Sequence, residues 1–381
     1  MCVKIVIEKT LLEDALKSLI AFTDKKDMSN ITSHVLIEAQ GETLRLEAND
    51  LEMGLSWQLT TAIEEGGSAT LNAKHFLDIV SKLGSGELVL HAKEGEDFVH
   101  LSFKRSKFKL PLFDRTHFPP FPMPENLPSL HFSDTALSDQ LKKLSNVISV
   151  NEPKYEFGGA LLVFEERLEL VATDTRRLSL VQIDPDHMPA KENPALEFIL
   201  PKRALLEVVK LFSKGDFDMF YEKPDPAGSS SKSTMLFFKN ESLLLYTRLI
   251  GGKYPNYQQI IPQEFTHKVE LKTQDFKDGV QIVHTLSPSI QIAFYPERVE
   301  FKSMQSENAS LSTTPHNFAE TSMETSTPLD GFILHAHARY LLDALNALST
   351  PTFDLLLNEK NEPFMIEKGG FRTLIMPIVV D

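Results

Sequence analysis

Two helix-like segments recur in the same order three times along the chain at a spacing of about 130 residues, and a period of that size is a domain rather than a motif. The first of the pair reads Leu12-Glu-Asp-Ala-Leu-Lys-Ser-Leu-Ile-Ala-Phe22, then Leu137-Ser-Asp-Gln-Leu-Lys-Lys-Leu-Ser-Asn-Val-Ile148, then Phe276-Lys-Asp-Gly-Val-Gln-Ile-Val-His-Thr-Leu286. The second reads Leu71-Asn-Ala-Lys-His-Phe-Leu-Asp-Ile-Val-Ser-Lys-Leu83, then Leu200-Pro-Lys-Arg-Ala-Leu-Leu-Glu-Val-Val-Lys-Leu-Phe212, then Leu334-His-Ala-His-Ala-Arg-Tyr-Leu-Leu-Asp-Ala-Leu-Asn-Ala-Leu348. Between them, stretches such as Leu44-Arg-Leu-Glu-Ala48, Leu168-Glu-Leu-Val-Ala172 and Val299-Glu-Phe-Lys302 alternate apolar and polar residues, the pattern of half-buried strands. Strands outnumber helices and strand-helix-strand alternation is scarce. The pattern therefore predicts an α+β fold, three tandem copies of a two-helix, antiparallel-sheet domain, and argues against a doubly wound sheet.

A chain of 381 residues accommodates three such units. Proline fixes φ and withholds a donor, so the run His117-Phe-Pro-Pro-Phe-Pro-Met-Pro-Glu-Asn-Leu-Pro128 suits a connector, as does the chain just past Pro255, near Ile261-Pro262. The expected domains are 1–126, 127–258 and 259–381, and segments 224–233 and 303–315 read as solvated loops.

Composition excludes several classes. No apolar run approaches the ~18 residues that span a bilayer, and Met1-Cys-Val-Lys-Ile-Val-Ile-Glu reads as a strand rather than a targeting signal. The single cysteine, Cys2, rules out an internal disulfide and a multi-cysteine metal site, as fits a reducing cytosol. A net charge of −14, taken alone, argues against nucleic acid, yet what a partner feels is the distribution of charge. Lys17, Lys25, Lys26, Lys142, Lys143, Lys74, Lys82, Lys202, Arg203, Lys210 and Lys214 fall on or beside equivalent helices, which suggests one shared positive surface. Phe103-Lys-Arg-Ser-Lys-Phe-Lys-Leu110 is a basic strand whose Phe108 and Leu110 suit an edge that pairs with another subunit.

Chemistry is largely absent. No P-loop, dinucleotide fingerprint, nucleophile elbow or His-Glu-x-x-His occurs. His335 and His337 are two apart, which does not place two ligands on one helical face. Asp50 and Asp174 each end a strand at a turn, where aspartate bonds nearby amides. No catalytic residue, metal or cofactor is expected.

The combination of Asn49-Asp-Leu-Glu-Met53, Ala172-Thr-Asp-Thr-Arg-Arg-Leu178, Gly252-Lys-Tyr-Pro-Asn-Tyr257, Tyr340-Leu-Leu-Asp-Ala-Leu-Asn-Ala-Leu348 and Met376-Pro377 resembles the bacterial sliding clamp, the β subunit of DNA polymerase III, over the whole chain. The resemblance implies a head-to-tail homodimeric ring around duplex DNA that slides without reading sequence. It also implies no enzymatic activity and a cytoplasmic location, nucleoid-associated during replication. Implied partners are double-stranded DNA, the DNA polymerase III catalytic subunit, the clamp loader and other proteins bearing a clamp-binding motif, with no membrane.

The resemblance further implies a hydrophobic pocket for a partner peptide between the second and third domains, at Phe157, Thr173, Thr175, Arg176, Arg177, Leu178, Pro255, Ile260, Tyr340, Met376, Pro377 and Ile378. It points to Lys26, Tyr155, Lys202 and Arg203 for DNA, and to Phe108, Leu110 and Leu286 for ring closure. Thr175 where many relatives have glycine, Gln259 where some have arginine, and a terminal Asp381 depart from the family pattern. Two rival readings make different demands. A repeat adaptor would scatter its helix lysines, and an enzyme would need titratable groups converging near Asp174 and His335 or His337.

Overall fold

The computed structural model describes residues 2–26, 30–133, 136–149, 154–183, 196–222, 234–304 and 318–380. The segment 224–233, the part of 303–315 from residue 305 onward, and Asp381 lie outside the described residues. The α-helices among those described are α1 (Lys9–Leu19), α2 (Ala73–Lys82), α3 (Ala136–Leu144), α4 (Lys202–Leu211), α5 (Thr273–His284) and α6 (Ala338–Ala347). Each buries one stripe: α1 turns Leu12, Ala15, Leu16 and Leu19 inward, and α5 turns Phe276, Gly279, Val280 and Val283. No described helix is long and apolar enough to cross a membrane.

The second helix of each repeat starts later than its apolar pattern suggests. Leu71 and Asn72, Leu200 and Pro201, and Leu334 to His337 finish the strands Gly67–Asn72, Leu196–Pro201 and Phe332–His337. Strand runs into helix with no loop between them. A buried leucine there serves the strand face while still fitting the helical spacing. At α2 the switch is made by the Asn72 side chain, which accepts from the His75 amide at 3.1 Å.

The chain forms two compact units, residues 1–135 with 210–249, and residues 136–209 with 250–381. The first holds two antiparallel sheets. One has five strands, in the order Ala62–Glu65, Val3–Glu8, Glu87–Ala92, Phe98–Phe103 and Ser106–Pro111. The other has eight: Ser129–Phe132, Phe217–Tyr221, Met235–Lys239, Leu243–Arg248, Met53–Thr60, Thr43–Asn49, His34–Gln40 and Gly67–Asn72.

The second unit repeats this scheme. Its eight-stranded sheet runs Leu196–Pro201, Gly159–Phe164, Leu168–Thr173, Arg177–Ile183, Phe371–Ile375, Phe364–Lys368, Thr352–Leu357 and His267–Lys272. Its four-stranded sheet runs Glu320–Glu324, Arg298–Ser303, Ser289–Tyr295 and Phe332–His337. Each eight-stranded sheet takes strands from two successive sequence repeats. Leu243–Arg248 pairs with Met53–Thr60, and Arg177–Ile183 with Phe371–Ile375.

One core cluster of the second unit lies under α5 and α6. Phe276 meets Phe301 and Phe353 edge to face at 5.1 and 5.4 Å. A Cβ on Gly279 would come within 2.5 Å of the Phe301 ring, so glycine lets the helix approach.

Candidate functional site

The turn joining Leu168–Thr173 to Arg177–Ile183 shapes an apolar cleft of the second unit. Asp174 Oδ1 accepts the amides of Arg176 and Arg177 at 3.1 and 3.0 Å, while the Thr173 hydroxyl accepts the Thr175 amide and donates to the Arg177 carbonyl. Closing the turn in so few residues puts Thr175 at φ 69°, a region that costs a β-branched residue about 1 kcal/mol or more. Thr175→Gly is expected to raise stability by about 1 kcal/mol. An unchanged or lowered thermal midpoint would remove that reading of the turn.

Arg177 is buried at the edge of the cleft. It donates to Asp174 at 2.9 Å, to Asp343 at 2.7 Å and to the Asn146 carbonyl at 2.6 Å. Its guanidinium sits 4.4 Å above the Tyr340 ring, which in turn stacks on His337 at 4.6 Å. Asp174 and Asp343 are thereby both engaged by one guanidinium.

The cleft encloses about 480 Å³ and is lined by Lys154, Phe157, Thr173, Thr175, Arg176, Arg177, Leu178, Tyr254, Pro255, Tyr257, Ile260, Leu374 and Met376. Leu178 and Leu374 of the lining belong to a buried cluster that also holds Leu161, Val163 and Val171. The Met376 amide bonds the Arg176 carbonyl at 2.9 Å, which brings the end of the chain to the rim. Of the positions the resemblance implies, Tyr340, Pro377 and Ile378 are not in the lining. Tyr340 supports Arg177 from beneath, and the Ile378 amide is engaged by the His335 carbonyl at 2.9 Å. Gln259 is exposed and also outside the lining.

Lys154, Tyr254, Tyr257 and Leu374 are lining residues that sequence reasoning did not place there. Tyr254 stands edge-on to Phe157, and the Tyr257 hydroxyl donates to Glu169 at 2.6 Å. Burial, and then that bond, hold the Tyr257 phenol well above its ordinary pKa, so it stays a neutral donor. Leu374 lies opposite Leu178 in the sheet, a pairing visible only in the register.

Burial, followed by the nearby His284, Arg177 and Arg339, lowers the His337 imidazole below its ordinary 6.5, against an opposite pull from Asp174. The unfolded chain then binds a proton before the folded one. Stability present above about pH 6.5 is lost as pH falls below it. His337→Phe, which keeps a ring on Tyr340, is expected to flatten that acid decline. Parallel slopes for the two proteins, in denaturant titrations from about pH 7 to about pH 5, would show that His337 is not the sensor.

The positions implied for DNA differ in character. Lys26, Tyr155 and Arg203 are exposed, Tyr155 at 63%. Lys202 is half-buried and donates to the Ile148 carbonyl at 2.8 Å. Burial, then Arg177 and Arg339, lower its ammonium pKa. Among the other helix lysines, Lys17 pairs with Glu13 and Lys143 lies 5.9 Å from the Phe371 ring, while Lys74, Lys82 and Lys142 are exposed. The positions implied for ring closure also divide. Phe108 is half-buried on the edge strand Ser106–Pro111, Leu110 is buried in its own sheet, and Leu286 is 46% exposed beyond α5.

Comparison with known proteins joins these features. Residues 3–122 match the family described as DNA polymerase III beta subunit, N-terminal domain, and residues 258–378 match its C-terminal domain. The beta sliding clamp of Helicobacter pylori strain J99 is 36% identical over 394 residues, covering 99% of this chain and 100% of the relative. The solved Helicobacter pylori beta clamp bound to a DNA ligase peptide superposes with a TM-score of 0.88 at 35% identity, covering 99% of this chain and 100% of that one. The Bacillus subtilis sliding clamp shares the fold with a TM-score of 0.88 at 19% identity, with 100% of each chain covered. With its repeated α+β architecture and both terminal domain families matched in order, the chain belongs to the bacterial beta sliding clamps, the non-catalytic β subunits of DNA polymerase III.

Proposed function

We propose that this chain is a DNA replication processivity factor. Two copies close head to tail into a ring around duplex DNA, slide on it and tether partners through the cleft beside Arg177. The cleft carries the reading: an apolar trough of about 480 Å³ with a few polar groups at its rim suits a short extended peptide. The related Helicobacter pylori clamp, of 35% identity, was solved with a DNA ligase peptide. The partners in this reading are the polymerase III catalytic subunit, the clamp loader and other proteins with a clamp-binding segment. The protein works in the cytoplasm, on the nucleoid during replication. The chain divides into domains 1–126, 127–258 and 259–381, fused through the eight-stranded sheets.

Ring closure would join two sheet edges. Ser106–Pro111 carries exposed Lys107 and Lys109 around Phe108, and Glu320–Glu324 carries exposed Glu320 and Glu324. Opposite charges on two open edges favour pairing between chains over pairing of like edges. Exposed Lys26, Tyr155 and Arg203 provide phosphate contacts that position without specifying, and Lys202 joins them only by leaving its carbonyl partner.

The deciding experiment loads the protein with its cognate loader and ATP onto nicked circular DNA, then linearises the DNA. Retention on the circle and loss from the linear form are expected, because topology rather than affinity holds a ring. Equal retention on both, stripped by salt, would mean an ordinary electrostatic binder.

A further inference from the structure

The outward face of the five-stranded sheet gathers three metal-ligating side chains from distant points of the chain. Val3, Ile5 and Ile7 are buried, so alternation along the strand puts Cys2 and Lys4 on the other face. Lys4 is registered opposite Glu65 on one side and His91 on the other, which places both on that face. The Cys2 thiol donates to Glu65 Oε2 at 2.5 Å, and His91 Nε2 lies 4.0 Å from the same oxygen. Sulfur, ring nitrogen and carboxylate oxygen all fall within 4.8 Å of one another. Lys4 stays out of the group because its ammonium pairs with Glu64.

The backbone is fixed where it carries these groups. Glu65 and His91 sit in strands paired to Val3–Glu8, and the Cys2 carbonyl packs so closely on Gly67 that a Cβ there would lie 1.8 Å from it.

We propose that Cys2, Glu65 and His91 form a binding site for a divalent transition metal, with zinc the best match. Thiolate, imidazole and carboxylate together suit a borderline cation and disfavour magnesium or calcium, which take oxygen ligands. Tetrahedral zinc, with sulfur at about 2.3 Å and nitrogen or oxygen at about 2.0–2.1 Å, needs donor separations of roughly 3.3 to 3.6 Å. Sulfur and oxygen are 2.5 Å apart and nitrogen and oxygen 4.0 Å apart, on either side of that range, with sulfur and nitrogen within 4.8 Å of each other. Rotation of the exposed Glu65 side chain adjusts both oxygen distances, and rotation about the Cys2 and His91 side-chain bonds sets the sulfur-to-nitrogen distance. Binding releases the thiol proton to solvent, and water fills the fourth position. The ion would cross-link the edge strand Ala62–Glu65 to Val3–Glu8 and Glu87–Ala92.

The test uses the full chain, reduced and stripped of metal with a chelator. Cobalt(II) is titrated for a thiolate charge-transfer band in the near ultraviolet, and zinc(II) is titrated by calorimetry. The expected result is a band that disappears in Cys2→Ser, and a zinc affinity that falls at least about tenfold in both Cys2→Ser and His91→Ala. Failure to see the band, or an unchanged zinc affinity in either variant, overturns the site. Both substitutions are at the surface of the sheet, and unfolding midpoints of the metal-free variants confirm that they fold.

Discussion

Alanine at position 177 is expected to cost about 3 kcal/mol of stability and to weaken peptide binding in the cleft at least about tenfold. Arg177 is 5% exposed and holds two carboxylates and a backbone carbonyl at 2.6–2.9 Å. Removing one partner of a buried ion pair leaves the other charge desolvated, which costs more than the pair itself contributes. Asp343 should suffer most, because Asp174 keeps two amide donors while Asp343 is left with Arg339 at 3.9 Å. Arg177→Lys retains the charge but not the planar fork and should fall between alanine and wild type. Urea midpoints and the anisotropy of a labelled peptide from the cognate polymerase subunit measure both effects. An alanine variant within about 1 kcal/mol of wild type would mean the network is decorative.

Phe276→Ala should cost about 4 kcal/mol, the largest single loss foreseen here. The ring is fully buried among Phe301, Phe353 and the α5–α6 contact, so its removal opens a cavity that rigid sheet strands on the far side cannot fill. Phe276→Leu retains most of the volume and should cost about half as much. Chemical denaturation distinguishes the two. Equal losses would mean that the site collapses around either side chain.

The repeat was legible because each helix must present its own apolar stripe and each strand its own alternation, and both patterns are local. Pattern alone failed where one residue serves two elements, as at Leu71 and Leu334, which look helical and finish strands. The turn at Asp174 could be read from residue types. Tyr254 could not be assigned to the cleft, because Tyr254-Pro255 reads equally well as the start of a connector, and nothing in the sequence around Tyr257 marks it as a lining residue. Lys202 looked like a free cation in sequence, yet its ammonium has a carbonyl partner. Leu374 and the Cys2–Glu65–His91 group depend on which strands lie side by side, and neither periodicity nor spacing encodes strand register over such distances.

The sheets that bridge successive repeats set where this chain can be cut. Severing it at residue 126 would strip Leu243–Arg248 from Met53–Thr60, and removing everything after residue 258 would strip Phe371–Ile375 from Arg177–Ile183. Each truncation leaves a long, apolar strand with its ladder unsatisfied, a template for aggregation rather than a small soluble module. Although the gene reads as a threefold duplication, the repeats are not the pieces to express. Fragments meant for separate study would have to preserve whole sheets.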